Sequence, residues 1–275
     1  MTLPLKKLYV DSKYKVEKGN DNSNFTIALH ENITFGDNTI MYIDDVTIPH
    51  TFWSIEEGYN DKIYMRLNYN GLLTDNILTL TAGNYNPTTF KTELSAQINQ
   101  GFSNPVHSCE YISLTSSIVL SFSSFSHQIF TDLELQDLQS SALFWNGQAY
   151  NTNSLSSANE VLNNRITSEI GTSSNPVSYL LTLNQIRNIY ISSSNLSNLS
   201  SLGARGERDI IKKVSVTSGT NTMIIDNVHS NADHIDVSNL TLSKIEFSLK
   251  DVDGIFIPFH GANSSWTCVF AIMED

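Results

Sequence analysis

Ser248–Ile272, SLKDVDGIFIPFHGANSSWTCVFAI, is the stretch whose reading decides the fold. Its centre, Asp251-Val252-Asp253-Gly254, could open a calcium loop or turn the chain between two strands. A helix–loop–helix calcium site needs Gly at the sixth position and Glu at the twelfth. Counted from Asp251 those positions hold Phe256 and Ala262. The flanks are not helical either. In IEFSL, Ile245, Phe247 and Leu249 alternate onto one face, and Pro258 follows in an extended segment. Asp253-Gly254 is a turn dipeptide, because Gly accepts positive φ and Asp bonds nearby backbone. The stretch therefore predicts a strand, a tight turn, an extended segment and a final strand over 266–272.

The same period-2 signature, bounded by Asn, Gly and Pro, recurs outward from it. Strands are expected at 25–30, 39–48, 62–69, 77–83, 186–192, 209–217, 222–228 and 240–249, with a hairpin over 110–124. One amphipathic helix is expected from about 87 to 100. There Asn86 caps, Pro87 fits the first turn, and Phe90, Leu94 and Ile98 share a face packed on a sheet edge. DLELQDLQSSALFW, 132–145, reads as a short helical turn at Leu135 and Leu138 followed by a buried plug from Leu143 to Trp145. Residues 146–180 are rich in Asn, Ser and Thr and read as a long polar loop or small insertion. No tandem repeat and no linker stand out. The expected fold class is all-β: an antiparallel β-sandwich over 25–275, with one short helix and one decorated loop.

Composition bounds the function. Of 275 residues, 40% are hydrophobic and 16% charged, enough apolar material for a core without staples. The net charge of −12 repels phosphate over most of the surface, which disfavours a general nucleic-acid binder. The exception is residues 1–24, an expected N-terminal arm carrying Lys6, Lys7, Lys13, Lys15 and Lys18. Such an arm is either solvated, or docked on a neighbouring subunit or near nucleic acid. Cys109 and Cys268 match no metal spacing and read as reduced thiols. The sequence shows neither an apolar leader nor an apolar run long enough to span a membrane. The sequons at Asn24, Asn32, Asn195, Asn198, Asn239 and Asn263 are then expected to be chance products of an Asn/Ser/Thr-rich chain.

Motifs for catalysis are missing: neither a Gly-x-Ser-x-Gly elbow, nor a phosphate-binding Gly-rich loop, nor His-Glu-x-x-His occurs. Asp226, His229, Asp233, His234 and Asp236 contain metal-ligand types at irregular spacing in a polar loop, and read mainly as solvated. His260 reads as a turn residue. Asp44-Asp45 and Glu56-Glu57 are sequence neighbours, which a strand points to opposite faces, the wrong arrangement for a shared-proton dyad. No catalytic, cofactor or metal residue is assigned, no cofactor is expected, and the chain is not expected to be an enzyme.

The order of several motifs resembles single jelly-roll penton (minor capsid) proteins of virophages, polinton-like viruses and Polinton/Maverick elements. At the C-terminus the resemblance rests on Ser248, Leu249, Asp251, Asp253, Gly254, Gly261 and Trp266. In the N-terminal half it rests on LYVDSKY, SNFTIAL, IDDVTIPHTFWSI with Pro49 and Trp53, and a strand-to-helix step at Gly83, Tyr85 and Asn86. ARGERDIIKKVSVTSG fits the segment preceding the last strands, while residues 146–180 fit nothing in the pattern. The resemblance implies an eight-stranded single jelly roll and a homopentamer at the five-fold vertices of an icosahedral double-stranded DNA virus shell. Its implied partners are further copies of itself, trimers of a double jelly-roll major capsid protein and other minor capsid proteins. DNA contact is confined at most to the N-terminal arm. The implied location is the capsid vertex of the virion, with assembly inside the host cell. The sequence stops at Asp275, straight after the last expected strand, so a receptor-binding head is expected as an insertion or as another protein. The alternative reading is a carbohydrate-binding, lectin-like jelly-roll adhesion module, in which Trp53, Trp145 or Trp266 would stack on sugars. A β-sandwich hydrolase is the third class, and it lacks a carboxylate pair or metal set.

Overall fold

A computed structural model describes residues 4–16, 22–140, 156–164, 168–196, 201–228 and 233–272. In chain order the elements are β1 (Pro4–Asp11), β2 (Asn24–Thr34), β3 (Thr39–Pro49), β4 (Lys62–Tyr69), β5 (Leu72–Thr79), α1 (Pro87–Gly101), β6 (His107–Ile112), β7 (Ser117–Phe122), β8 (Ser126–Ile129), α2 (Asp132–Ser140), β9 (Ile170–Gly171), β10 (Val177–Leu180), β11 (Asn188–Ser192), β12 (Ile210–Ser215), β13 (Met223–Asp226), β14 (Ile235–Asp236), β15 (Thr241–Lys250) and β16 (Ser265–Ile272). The chain divides into two compact units, 1–52 with 186–275, and 53–185.

In the first unit β1 pairs with β16, β2 with β15, β3 with β13, and β11 with β12, all antiparallel. First strand meets last, second meets next-to-last, and so inward. Two cross-pairings, β16 on β3 and β15 on β11, then join these hairpins into sheets ordered β1-β16-β3-β13 and β12-β11-β15-β2. This is the winding of a jelly-roll β-sandwich. β14 continues the β13 edge by pairing with β3 at Met41 and Ile40. Alternation does the rest. Ile43, Ile48, Phe247, Leu249, Trp266, Cys268 and Phe270 point inward and are buried in one apolar cluster. Trp266 meets Phe247 edge-on at 5.0 Å and Phe25 at 5.7 Å, an aromatic centre that joins strands of both sheets.

The second unit has its own core. Sheet β5-β4-β8-β9 and sheet β10-β7-β6 share an apolar cluster that includes Met65, Leu67, Leu120 and Phe122. The helix α1 adds Phe90, Leu94 and Ile98, all buried, as the four-residue spacing predicts. Asn86 caps it: its Oδ1 accepts from the N–H groups of Thr88 (3.0 Å) and Thr89 (2.9 Å), and the Asn86 N–H donates back to the Thr89 hydroxyl.

The fold class matches the sequence expectation, and three details differ. The segment expected as a Lys-rich arm over 1–24 contains β1, a strand of the jelly roll. Its Leu8 and Val10 face inward opposite Cys268 and Trp266, and that burial outweighs the solvation of Lys6 and Lys7 just before them. Where a single domain over 25–275 with a loop or insertion at 146–180 is expected, the contacts divide after β3 into the jelly-roll unit and the compact unit 53–185. Both units are built of period-2 strands, so no composition change marks the junction. Among the described residues there are two α-helices where one is expected: Leu135 is fully buried and 132–140 forms α2. The plug expected at Leu143–Trp145 lies outside the described residues.

Candidate functional site

The segments that carried the resemblance at the C-terminal end meet in space. β15 ends at Lys250 and the chain turns through Asp251–Gly254. Asp251 is buried, and its carboxylate accepts from the N–H groups of Asp253 and Ile255, both at 2.9 Å. The Gly254 N–H closes the turn on the Asp251 carbonyl at 3.2 Å. The Asp251 carboxylate is thus spent on the backbone, as turn chemistry requires. Gly254 adopts φ +76°, and a Cβ there would lie 2.9 Å from Nη1 of Arg205. The positive φ is what demands glycine here, since the guanidinium is the mobile end of a long side chain and can move aside.

Arg205 arrives from the ARGER segment. Its N–H donates to Glu207 Oε2 at 2.9 Å. Glu207 holds its proton less tightly than an ordinary carboxyl, first through its own backbone N–H, then through the Arg205 N–H and the positive charges of Arg205 and Lys250. Lys250 lies 5.4 Å over the Phe256 ring. Between these segments is a shallow cleft lined by Tyr190, Glu207, Ile210, Lys250 and Val252 among others. Leu202, Val252, Ile255 and Phe256 are exposed around it. The site combines alternating charges with apolar contacts and is suited to docking.

The other candidates separate. Asp226 accepts from the Val228 N–H at 2.8 Å and lies 3.8 Å from the buried ammonium of Lys212. Asp236 accepts from the Ser238 N–H, and His234 packs on Tyr42. His229 lies outside the described residues. Among the described residues no three His, Cys, Asp or Glu side chains converge as metal ligands. His260 sits in a turn at φ +50°. Asp44 and Asp45 occupy a bulge, where Ile43 to Val46 of β3 face only Cys268 to Trp266 of β16. Asp44 pairs with Lys7 at 3.7 Å. Glu56 is buried and accepts from the Trp53 N–H at 2.7 Å, while Glu57 is exposed. Burial pushes both thiols, Cys109 and Cys268, up to about 12, so neither is a nucleophile at neutral pH. Of the tryptophans proposed to stack on sugars, Trp266 is core, Trp53 is partly exposed, and Trp145 is outside the described residues. Lys6 pairs with Glu31 at 3.2 Å, so part of the basic N-terminus is neutralised locally. Asn195 is committed to structure, donating to the Lys244 carbonyl and accepting from the Glu246 N–H.

Sequence reasoning did not find the buried ionisable groups, among them His127. His127 faces the core of the second unit, 1% exposed and tilted against Phe122. Neither ring nitrogen makes a hydrogen bond of good geometry. A methyl group at Gly171 would overlap the ring, so that glycine makes room for it. Burial lowers its pKa to about 4, opposed by the nearby Gly171 backbone. Its one sequence signal was its place at the inward register of a short alternating run, SHQI.

The geometry defines the class first: an antiparallel jelly-roll β-sandwich whose third and fourth long strands are separated by a second compact β unit. No family model matches the sequence, and no curated protein matches it either. Among solved structures, the crystal structure of the selenomethionine-labelled penton protein of mavirus is similar, with a TM-score of 0.50 and 8% identity, covering 98% of this chain and 100% of that one. At that identity the likeness is one of fold, and it runs the whole length of both chains.

Proposed function

We propose that this protein is a structural component of a viral capsid, and specifically the penton of an icosahedral double-stranded DNA virus. The observation that carries the reading is the jelly-roll winding together with the full-length likeness in fold to the mavirus penton protein. The motif order read from the sequence points the same way independently of the structure. In this role five copies close a ring at each vertex through heterologous contacts, in which one patch of a subunit meets a different patch of the next. The surrounding shell consists of double jelly-roll major capsid protein trimers, with other minor capsid proteins as further neighbours. The protein resides in the virion, and the role requires contact surfaces rather than a catalytic centre. The unit 53–185, with its own core, is the place in the chain for a function added to the vertex.

Light scattering on the purified chain, with negative-stain imaging, tests the assembly. A chain of 30.7 kDa predicts a five-fold ring of about 150 kDa. A chain that stays monomeric up to high micromolar concentration overturns the pentamer.

A further inference from the structure

We infer that the two edges of the β1-β16-β3-β13 sheet, each without a further strand among the described residues, dock on each other between neighbouring copies, the Lys/Tyr edge of β1 and the turn after it against the Asp/aliphatic edge of β13 and β14. This rests on the pentamer reading and names the surfaces that would close the ring.

The two edges lie at opposite ends of one sheet, so a contact between them is heterologous by construction. Their chemistry is complementary. β1 carries Lys6 and Lys7 against Asp11, with Tyr9 76% exposed, and the turn that follows it adds Lys13 and Tyr14, the latter 70% exposed. The stretch from 220 to 240 contains no Lys or Arg and three aspartates, of which Asp226 already faces the buried Lys212 of its own chain while Asp233 and Asp236 remain on the edge. On that second edge Met223, Ile225 and Val228 are 52%, 60% and 72% exposed. The pairing register explains why. Ile224 faces the core opposite Ile48, which turns Met223 and Ile225 to the outer face beside Pro49 and Thr47. Aliphatic side chains on an unpaired edge invite association unless something covers them. The basic edge answers with two aromatics that can bury them and with charge that steers the encounter. Lys6 and Lys7 are held by Glu31 and Asp44 within the chain, as exposed pairs that can exchange partners. Among the described residues, no carboxylate pairs with Lys13.

The test uses two variants of the full chain, Ile225→Lys on one edge and Tyr9→Ala with Tyr14→Ala on the other. All three positions are exposed, so wild-type melting temperatures are expected. Each variant alone should lose the ring. Mixed together, each still carries one intact edge, so they should form a one-to-one dimer of about 61 kDa and stop there. A wild-type ring with both variants still forming rings overturns this inference and leaves the pentamer standing. Variants that dissociate but do not pair on mixing overturn it as well. A wild-type chain that never assembles overturns the pentamer and this inference with it. Hydrogen exchange on the wild type provides a check free of mutation: β1, β13 and β14 should be slowed in the ring relative to the diluted monomer, and unchanged exchange at both edges counts against the docking.

Discussion

The jelly-roll unit and the inserted unit differ in how they bury a histidine. In the jelly roll, His50 is 6% exposed, with its Nδ1 at 2.9 Å from the Ser218 carbonyl and its ring stacked on Phe52. Lys212, 5% exposed, donates to the Val228 carbonyl at 2.6 Å and lies near Asp226. In the inserted unit, His127 is buried among Leu67, Phe122 and Gly171 without such a partner. A buried polar group with a hydrogen bond is stable over a range of conditions, whereas one without it is stable only while neutral. The topologies differ in the same sense. The jelly roll closes by pairing β1 with β16, from opposite ends of the sequence, whereas the inserted unit is made of contacts within 53–185. The comparison sets a frame closed between distant parts of the sequence against a unit with one pH-sensitive buried histidine.

The largest effects should show whether the two cores are independent. Phe247→Ala in the jelly roll and Phe90→Ala in the inserted unit each remove a fully buried aromatic, at a cost of about 3–5 kcal/mol. Hydrogen exchange should accelerate in the unit that carries the change and stay near wild type in the other. Loss of protection throughout the chain in both variants would break the comparison.

Acid should act next, through His127 on the inserted unit. Above pH 6.5 His127 is neutral in the folded and the unfolded chain, and its full contribution is present. As the pH falls below 6.5 the unfolded chain takes up a proton that the folded one refuses. Stability is then lost progressively until about pH 4, where the folded imidazole also protonates. The loss approaches about 3 kcal/mol over that window. Exchange in β7, β8 and β9, corrected for intrinsic rate, should rise with acid, and His127→Leu should flatten the rise. An unchanged slope in that variant would assign the sensitivity elsewhere.

A smaller change sharpens the comparison within the inserted unit. Asn86→Ala removes the acceptor for two N–H groups at the start of α1 and should cost about 1 kcal/mol, seen as faster exchange in the first turn of that helix. An equal effect across β4 and β5 would mean that the cap holds more than the helix.

Much of this was legible in the sequence because it is local. Alternation revealed the strands around Ile63, Met65 and Leu67 and around Ile245, Phe247 and Leu249. The Asn86-Pro87 pair and the Phe90, Leu94, Ile98 spacing marked α1. Asp253-Gly254 marked a turn and excluded a calcium loop. The β1 strand was obscured because its inward residues, Leu8 and Val10, alternate with Lys7 and Tyr9, a pattern that a solvated arm can also carry. The convergence of ARGER with the Asp251 turn was not legible, because it joins residues more than 40 positions apart.

By itself, then, the sequence determined the fold class, the positions of most strands and the chemistry of each turn, since these follow from the side-chain period and from backbone preferences within a few residues. Only the tertiary structure decided that Pro4–Asp11 belongs to the frame, that 53–185 is a second core, and that His127 lies buried without a partner. Each of those depends on which distant strand lies opposite, and pairing across a sheet is set by the burial of both partners together, which neither segment records alone.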